Sequence, residues 1–212
     1  MKKIYAVIIA ICLTLLISTA AFAHGQPEVW VDLMGGGGGS QTINSIVTDG
    51  ANTFGYSIGG MYLWDYKIIK GKVWIEYSDQ PELGVNSLEV RVGSPLVHLE
   101  SLHVHTYCGY LKVTDNNTDI SALMAGLNIV VALSDKSDVE SYFGYSWGFN
   151  PDATNGNTSF AGPALFSGKT KFAFYLTDNL ELTAGYRYIN YDATNLSGSD
   201  GAFTVGVQYL FK

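Results

Sequence analysis

Basic residues are scarce in this chain: 12 Lys and Arg stand against 19 Asp and Glu, a formal net charge of −7. Phosphate recognition needs clustered cations, so nucleic acid is excluded as a partner. Cysteine is rarer still, with Cys12 and Cys108 alone, and no disulfide framework follows from such a pair. Beyond the first twenty or so residues there is no long apolar run and no long, well-capped amphipathic stretch, which leaves little room for helix. Five consecutive glycines, Gly35 to Gly39, lack a following Gly-Lys-Ser/Thr. They therefore read as a hairpin loop and not as a phosphate cradle.

The start of the chain has a different character. Met1-Lys2-Lys3 is basic, Ile4 to Ile17 is almost continuously apolar, and Ala21-Phe22-Ala23 is a small-x-small site. This layout predicts a secretory signal peptide over residues 1–23 and a single mature domain over 24–212, exported from the bacterial cytoplasm. Cys12 lies inside the apolar region without a Leu-x-x-Cys context and would leave with the leader. Cys108 then has no intramolecular partner. Losing Lys2 and Lys3 leaves 10 basic against 19 acidic residues, a net charge of −9.

What the chain does hold is 24 Gly, 14 Tyr and 10 Phe, a composition that favours sheet. A period of two marks ten segments: Glu28 to Met34, Thr53 to Trp64, Lys70 to Tyr77, Ser87 to Gly93, Ser101 to Lys112, Ile120 to Leu133, Val139 to Phe149, Lys169 to Leu176, Leu180 to Tyr191 and Ala202 to Phe211. In LELTAGYRYINY, Leu180, Leu182, Ala184, Tyr186 and Tyr188 share one face, while Glu181, Thr183, Gly185 and Arg187 share the other. Each segment pairs an apolar face with a polar, small or charged one.

Two architectures use that pattern. A soluble sandwich or barrel turns the apolar face inward; a membrane barrel turns it toward lipid and keeps the polar face for its interior. The gaps distinguish them. GGGGGSQTINSIVTDGAN, SDQPELGVN, VTDNNTD, NPDATNGNTSFAGPALFSG and DATNLSGSDG alternate with the short DYKII, SPLVHLE, SDKSD and TDN. Long and short connections alternate in this way when both termini face the periplasm. The rings of Tyr62, Trp64, Phe143, Trp147, Phe149, Tyr188, Tyr209 and Phe211 cluster toward segment ends, where lipid headgroups would lie. The predicted fold is all-β: a closed antiparallel transmembrane β-barrel of ten strands in the bacterial outer membrane. Eight strands result if the segments around Lys70 to Gly93 form a long hairpin.

The terminal AFTVGVQYLF, with Phe203, Val205, Val207, Tyr209 and Phe211 in alternation, resembles the C-terminal insertion signal of the small bacterial outer-membrane β-barrels, the OmpA-like, OmpX-like and Opa-like group. TDNLELTAGYRY resembles their penultimate hairpin. Those families usually end on the aromatic residue, whereas Lys212 follows Phe211 here. The resemblance implies outer-membrane lipid and the outer-membrane insertion machinery as partners. It does not choose between pore, adhesin and enzyme.

Faces opposite the lipid would supply a lumen holding Glu28, Asp32, Lys72, Glu76, Glu89, Arg91, His103, His105, Glu140, Lys171, Glu181 and Arg187. Opposite signs on single strands, at Lys72/Glu76, Glu89/Arg91 and Glu181/Arg187, suggest pairing across the barrel, since buried charge is tolerated when paired or hydrated. Such a network either plugs a narrow barrel or lines an ion path. In ESLHVHTYCGY, His103 and His105 share a face with Tyr107, while Cys108 shares the lipid face with Leu102 and Val104 and, by parity, with His98. A zinc site needs three or four convergent ligands, and this stretch gives at most two. A serine nucleophile needs a base within reach, but no serine is placed beside either histidine and Thr106 points the other way. The expected protein thus has no catalytic site, metal or cofactor. Its expected role is structural or at the cell surface, with long loops such as NPDATNGNTSFAG available to a surface ligand. The alternatives are a narrow passive channel for small solutes and, more remotely, a lipid-modifying enzyme.

Overall fold

A computed structural model describes residues 25–36, 40–43, 46–49, 54–66, 69–81, 85–115, 118–149, 164–193 and 196–211. The expected leader, most of the glycine run and the Asn150 to Gly162 loop lie outside the described residues. The strands are β1 (Gly25–Gly35), β2 (Ser40–Ile43), β3 (Ile46–Asp49), β4 (Gly55–Tyr66), β5 (Ile69–Gln80), β6 (Val85–His98), β7 (Leu102–Asp115), β8 (Thr118–Ser134), β9 (Ser137–Phe149), β10 (Ala164–Tyr175), β11 (Leu180–Ala193) and β12 (Leu196–Leu210).

Ten of these close on themselves. Every neighbour pairing is antiparallel, and β1 bonds β4 on one edge and β12 on the other, so that Asp32 lies opposite both Ser57 and Gly206. Closure leaves no open edge in the wall, the condition for a sheet to cross lipid. The ten strands match the ten periodic segments, and the eight-stranded alternative is set aside because β5 and β6 are full members of the wall.

Outside and inside differ as alternation demands. On β12, Phe203 and Val205 are 61% and 62% exposed, while Thr204 between them is buried. Val31, Leu33, Val92, Leu123, Trp147, Phe172 and Leu182 also stand outward. An apolar outer wall around a charged interior is the arrangement of an outer-membrane barrel, whose solvent is lipid.

Two features depart from the sequence reading. The stretches SDQPELGVN, VTDNNTD and DATNLSGSDG are largely strand, since their flanking ladders run on until only residues 81–84, 116–117 and 194–195 separate the pairs. Backbone hydrogen bonds extend a ladder above the bilayer without any apolar face, so alternation of hydrophobicity does not reveal it. The second is the β2–β3 hairpin, which continues the sheet from the upper part of β12 with Leu196 opposite Ile43. Four-residue strands carry too few positions for a period of two to register.

The interior is also less purely polar than the alternation suggests. Trp30, Met61, Trp74, Tyr107, Leu111, Ala122, Met124 and Tyr142 form a buried cluster inside the wall. Glycines on facing strands make room for it. A Cβ at Gly59 would collide with the Trp30 indole, and one at Gly126 would meet the Tyr107 hydroxyl at 2.6 Å.

Candidate functional site: the lumen

Each strand aims one parity inward, which brings polar residues distant in sequence into two tiers. The central tier joins Asp32 (β1), Glu76 (β5), Glu89 and Arg91 (β6), Lys169 (β10) and Arg187 (β11), all buried. Lys169 Nζ donates to Asp32 Oδ2 at 2.7 Å and to Glu76 Oε1 at 3.4 Å. Arg91 stands 3.3 Å from Glu89 and 3.7 Å from Glu76; Arg187 stands 3.6 Å from Glu89 and 3.9 Å from Glu76. Thr183 Oγ1 donates to Asp32 Oδ1 at 3.2 Å, and Arg187 donates to Ser87 Oγ at 3.2 Å. Three carboxylates face three cations, and the tier is electrically balanced. The Arg91 guanidinium lies 4.1 Å from the Tyr142 ring centre, which lets it shed water against a π face.

The second tier lies toward the end of the barrel that carries both chain termini, the periplasmic end for this class of fold. Lys171 Nζ reaches Glu140 Oε2 at 2.8 Å and donates to Gln208 Oε1 at 2.6 Å, while Gln208 Nε2 donates to Glu28 Oε2 at 2.8 Å. Asn128 Nδ2 donates to Glu140 Oε1 at 2.9 Å, and the Tyr175 hydroxyl donates to Asp138 Oδ2 at 2.6 Å. Glu181 is buried nearby, within electrostatic reach of Glu28, Asp138, Glu140 and Lys171. A small cavity of about 30 Å³ joins the tiers, with Trp30, Trp74 and Tyr142 as aromatic walls and Glu28, Glu76, Glu140, Lys169 and Lys171 among its polar ones.

All twelve lumen residues named from the sequence lie on inward-facing parities, and most ion pairs of the central tier run across the barrel. Of the three single-strand pairs only Glu89/Arg91 is in contact. Strand rise places Lys72 and Glu76 about 13 Å apart along the backbone, and Glu181 and Arg187 about 20 Å apart, beyond the reach of an ion pair. The other partners come from across the barrel, as the sequence reading expected. Lys169 went unnamed although it shares the parity of Lys171, so its signal was present. Trp30, between Glu28 and Asp32, and Trp74, between Lys72 and Glu76, carried the same parity signal, whereas Asn128 lies in a segment, Ile120 to Leu133, with no charged residue to mark its inner face.

At the periplasmic mouth, His105 is buried edge-on to Trp74 and His103 contacts His98 through Nδ1 atoms 2.6 Å apart. The sequence reading placed His98 with Cys108 on the lipid side. A bulge corrects this: Pro95 pairs with His105 but Val97 with Val104, so Leu96 is the extra residue and shifts the parity of everything after it. Cys108 itself is exposed on the outer wall. Thr106 donates weakly to the Ser94 carbonyl at 3.5 Å. Among the described residues no group of three or more His, Cys, Asp or Glu could hold a metal ion. Phe203, Val205, Val207 and Tyr209 form an exposed column on β12, and the Phe211 ring stacks edge-on against Tyr209 at 4.9 Å.

No protein-family model and no curated protein matches the chain. Solved structures do. The outer membrane protease OmpT from Escherichia coli matches with a TM-score of 0.52 at 10% identity, over 90% of this chain and 98% of that one. An outer membrane channel from Pseudomonas putida F1 matches with a TM-score of 0.52 at 9% identity, over 90% and 97%. At such identities the likeness is one of fold, and together with the closed ladder and the outward apolar wall it makes this chain a ten-stranded β-barrel of the bacterial outer membrane.

Proposed function

We propose that the barrel is a narrow passive channel for small hydrated solutes, held shut in this conformation by the central charge tier. The observation behind the reading is the charge-lined cavity of about 30 Å³ in the lumen, large enough to hold water between the two tiers. A barrel that served only as a rigid post would gain from an apolar core, because well-packed hydrophobic residues match or exceed a buried ion-pair network in stability. Charges that bind one another across a cavity can instead exchange partners with water and ions. The test is conductance in a planar bilayer, comparing wild type with Glu89→Ala/Arg187→Ala, which removes one charge of each sign from the central tier. Small, infrequent steps in wild type and larger, steadier ones in the double variant are expected. Absence of current from both would refute the channel.

A second reading, an envelope post with surface contacts, draws on the seal above the cavity. Asp32, Glu89 and Arg91 are at most 3% exposed, and Met34, Leu111 and Met124 are as deeply buried. In that case the loops would meet any surface ligand and deletion of the protein would weaken the envelope without changing solute uptake. Both readings leave out catalysis: His103, a candidate base, is engaged by His98. Phospholipid or lipid A hydrolysis that disappears in His103→Ala/His105→Ala would reverse that part. The exposed column ending at Phe211 would serve as the element read by the insertion machinery.

A further inference from the structure

The two tiers of the lumen differ in charge balance. The central tier has three carboxylates and three cations in mutual contact. The periplasmic tier has four carboxylates, Glu28, Asp138, Glu140 and Glu181, against Lys72 and Lys171, with the histidines of the mouth counted as neutral. Only Glu140 touches a cation, Lys171 at 2.8 Å. Glu28 and Asp138 accept hydrogen bonds from neutral groups, the Gln208 amide and the Tyr175 hydroxyl. Glu181 is 3% exposed and, among the described residues, makes neither a hydrogen bond nor an ion pair.

An unpartnered carboxylate so deeply enclosed, with three more in electrostatic reach, keeps its charge only when a further cation joins it in the lumen, and otherwise takes up a proton. Carboxylate oxygens select hard cations. No three of these side chains converge closely enough to ligate an ion directly, so a cation here keeps its water and stays exchangeable. The low-dielectric wall confines the field of the excess charge to the lumen, which raises the local cation concentration.

We infer that the periplasmic tier is a cation-selective vestibule in which Glu181 is the selectivity-determining residue for small hydrated monovalent cations. The inference rests on the channel reading above. Its test measures reversal potential across a KCl gradient for wild type, for Glu89→Ala/Arg187→Ala, which widens the central tier while keeping it neutral, and for that variant with Glu181→Gln added. Heat-modifiable migration in gels checks that each barrel has assembled, and Glu28→Gln replaces Glu181→Gln if the latter does not assemble. A preference for K⁺ over Cl⁻ that falls by about twofold or more on removing the Glu181 charge is expected, since one unit of the excess is lost. Current without selectivity, a preference for Cl⁻, or selectivity indifferent to both substitutions would overturn this inference and leave the channel standing. No current from wild type or from the widened variant would overturn the channel reading, and the vestibule with it.

Discussion

Glu76 is the hub of the central tier, and neutralising it is the sharpest test of how that tier is held together. Its carboxylate faces Lys169 at 3.4 Å, Arg91 at 3.7 Å and Arg187 at 3.9 Å. At an effective dielectric of about 20, each such contact carries a gross attraction on the order of 4 kcal/mol, much of it offset by desolvation and by repulsion from Asp32 and Glu89. Glu76→Gln keeps the shape but leaves three cations facing two carboxylates, at a net cost of about 3–5 kcal/mol, the usual penalty for stranding a buried partner. Lys169→Met added to Glu76→Gln restores the balance and should recover part of the loss. The assay is urea unfolding of the detergent-folded barrel, followed by gel mobility and tryptophan fluorescence. A cost below about 1 kcal/mol for Glu76→Gln would show that water already screens the tier. A double variant no more stable than the single one would show that charge balance is not what holds it.

Three other substitutions probe the wall. Val205→Arg puts a charge on the outward face, where Val205 is 62% exposed, and should destabilise the barrel by about 2–4 kcal/mol in lipid if that face lies near mid-bilayer; an unchanged unfolding midpoint would put the lipid boundary elsewhere. Gly59→Val drives a side chain into the Trp30 indole and should cost about 1–3 kcal/mol by overpacking, with Trp30→Ala relieving part of it in the double variant, since the Ile75 carbonyl oxygen still lies 2.8 Å from the new Cβ. Phe211→Ser removes the ring that stacks on Tyr209 and should lower the assembled fraction in outer-membrane preparations, whereas deletion of Lys212 should leave it nearly unchanged. Equal assembly of those two variants would dismiss the terminal aromatic as the element that guides insertion.

The wall was legible because a membrane barrel writes its inside and outside into successive residues. Phe203, Val205 and Val207 against Thr204 and Gly206 is a statement about faces that needs no knowledge of neighbours, and ten such segments with alternating gaps already imply closure. Legibility stopped where lipid stops. Above the bilayer, residues such as Ser197, Gly198 and Ser199 pair with Thr42, Gln41 and Ser40 through the backbone ladder, and polar and glycine residues pair there as readily as they form a loop.

Inside the barrel, parity told which side chains enter the lumen but not whom they meet. Entry is a local property of a strand; meeting depends on the stagger of ten strands around the wall, which no single strand encodes. Lys169 and Asp32 are 137 residues apart and 2.7 Å in contact, while Lys72 and Glu76, four residues apart, point the same way at different heights. A single inserted residue, Leu96, is enough to reverse the face of His98, because every later position inherits the shift. Deleting Leu96 should therefore remove the bulge without turning His98, because Val97 then follows Pro95 in a regular ladder and His98 still pairs with His103; the contact of the two imidazoles should persist in spectra of the detergent-folded protein. Loss of the pair after the deletion would mean that Leu96 is not the extra residue and that the register at the periplasmic mouth is set elsewhere.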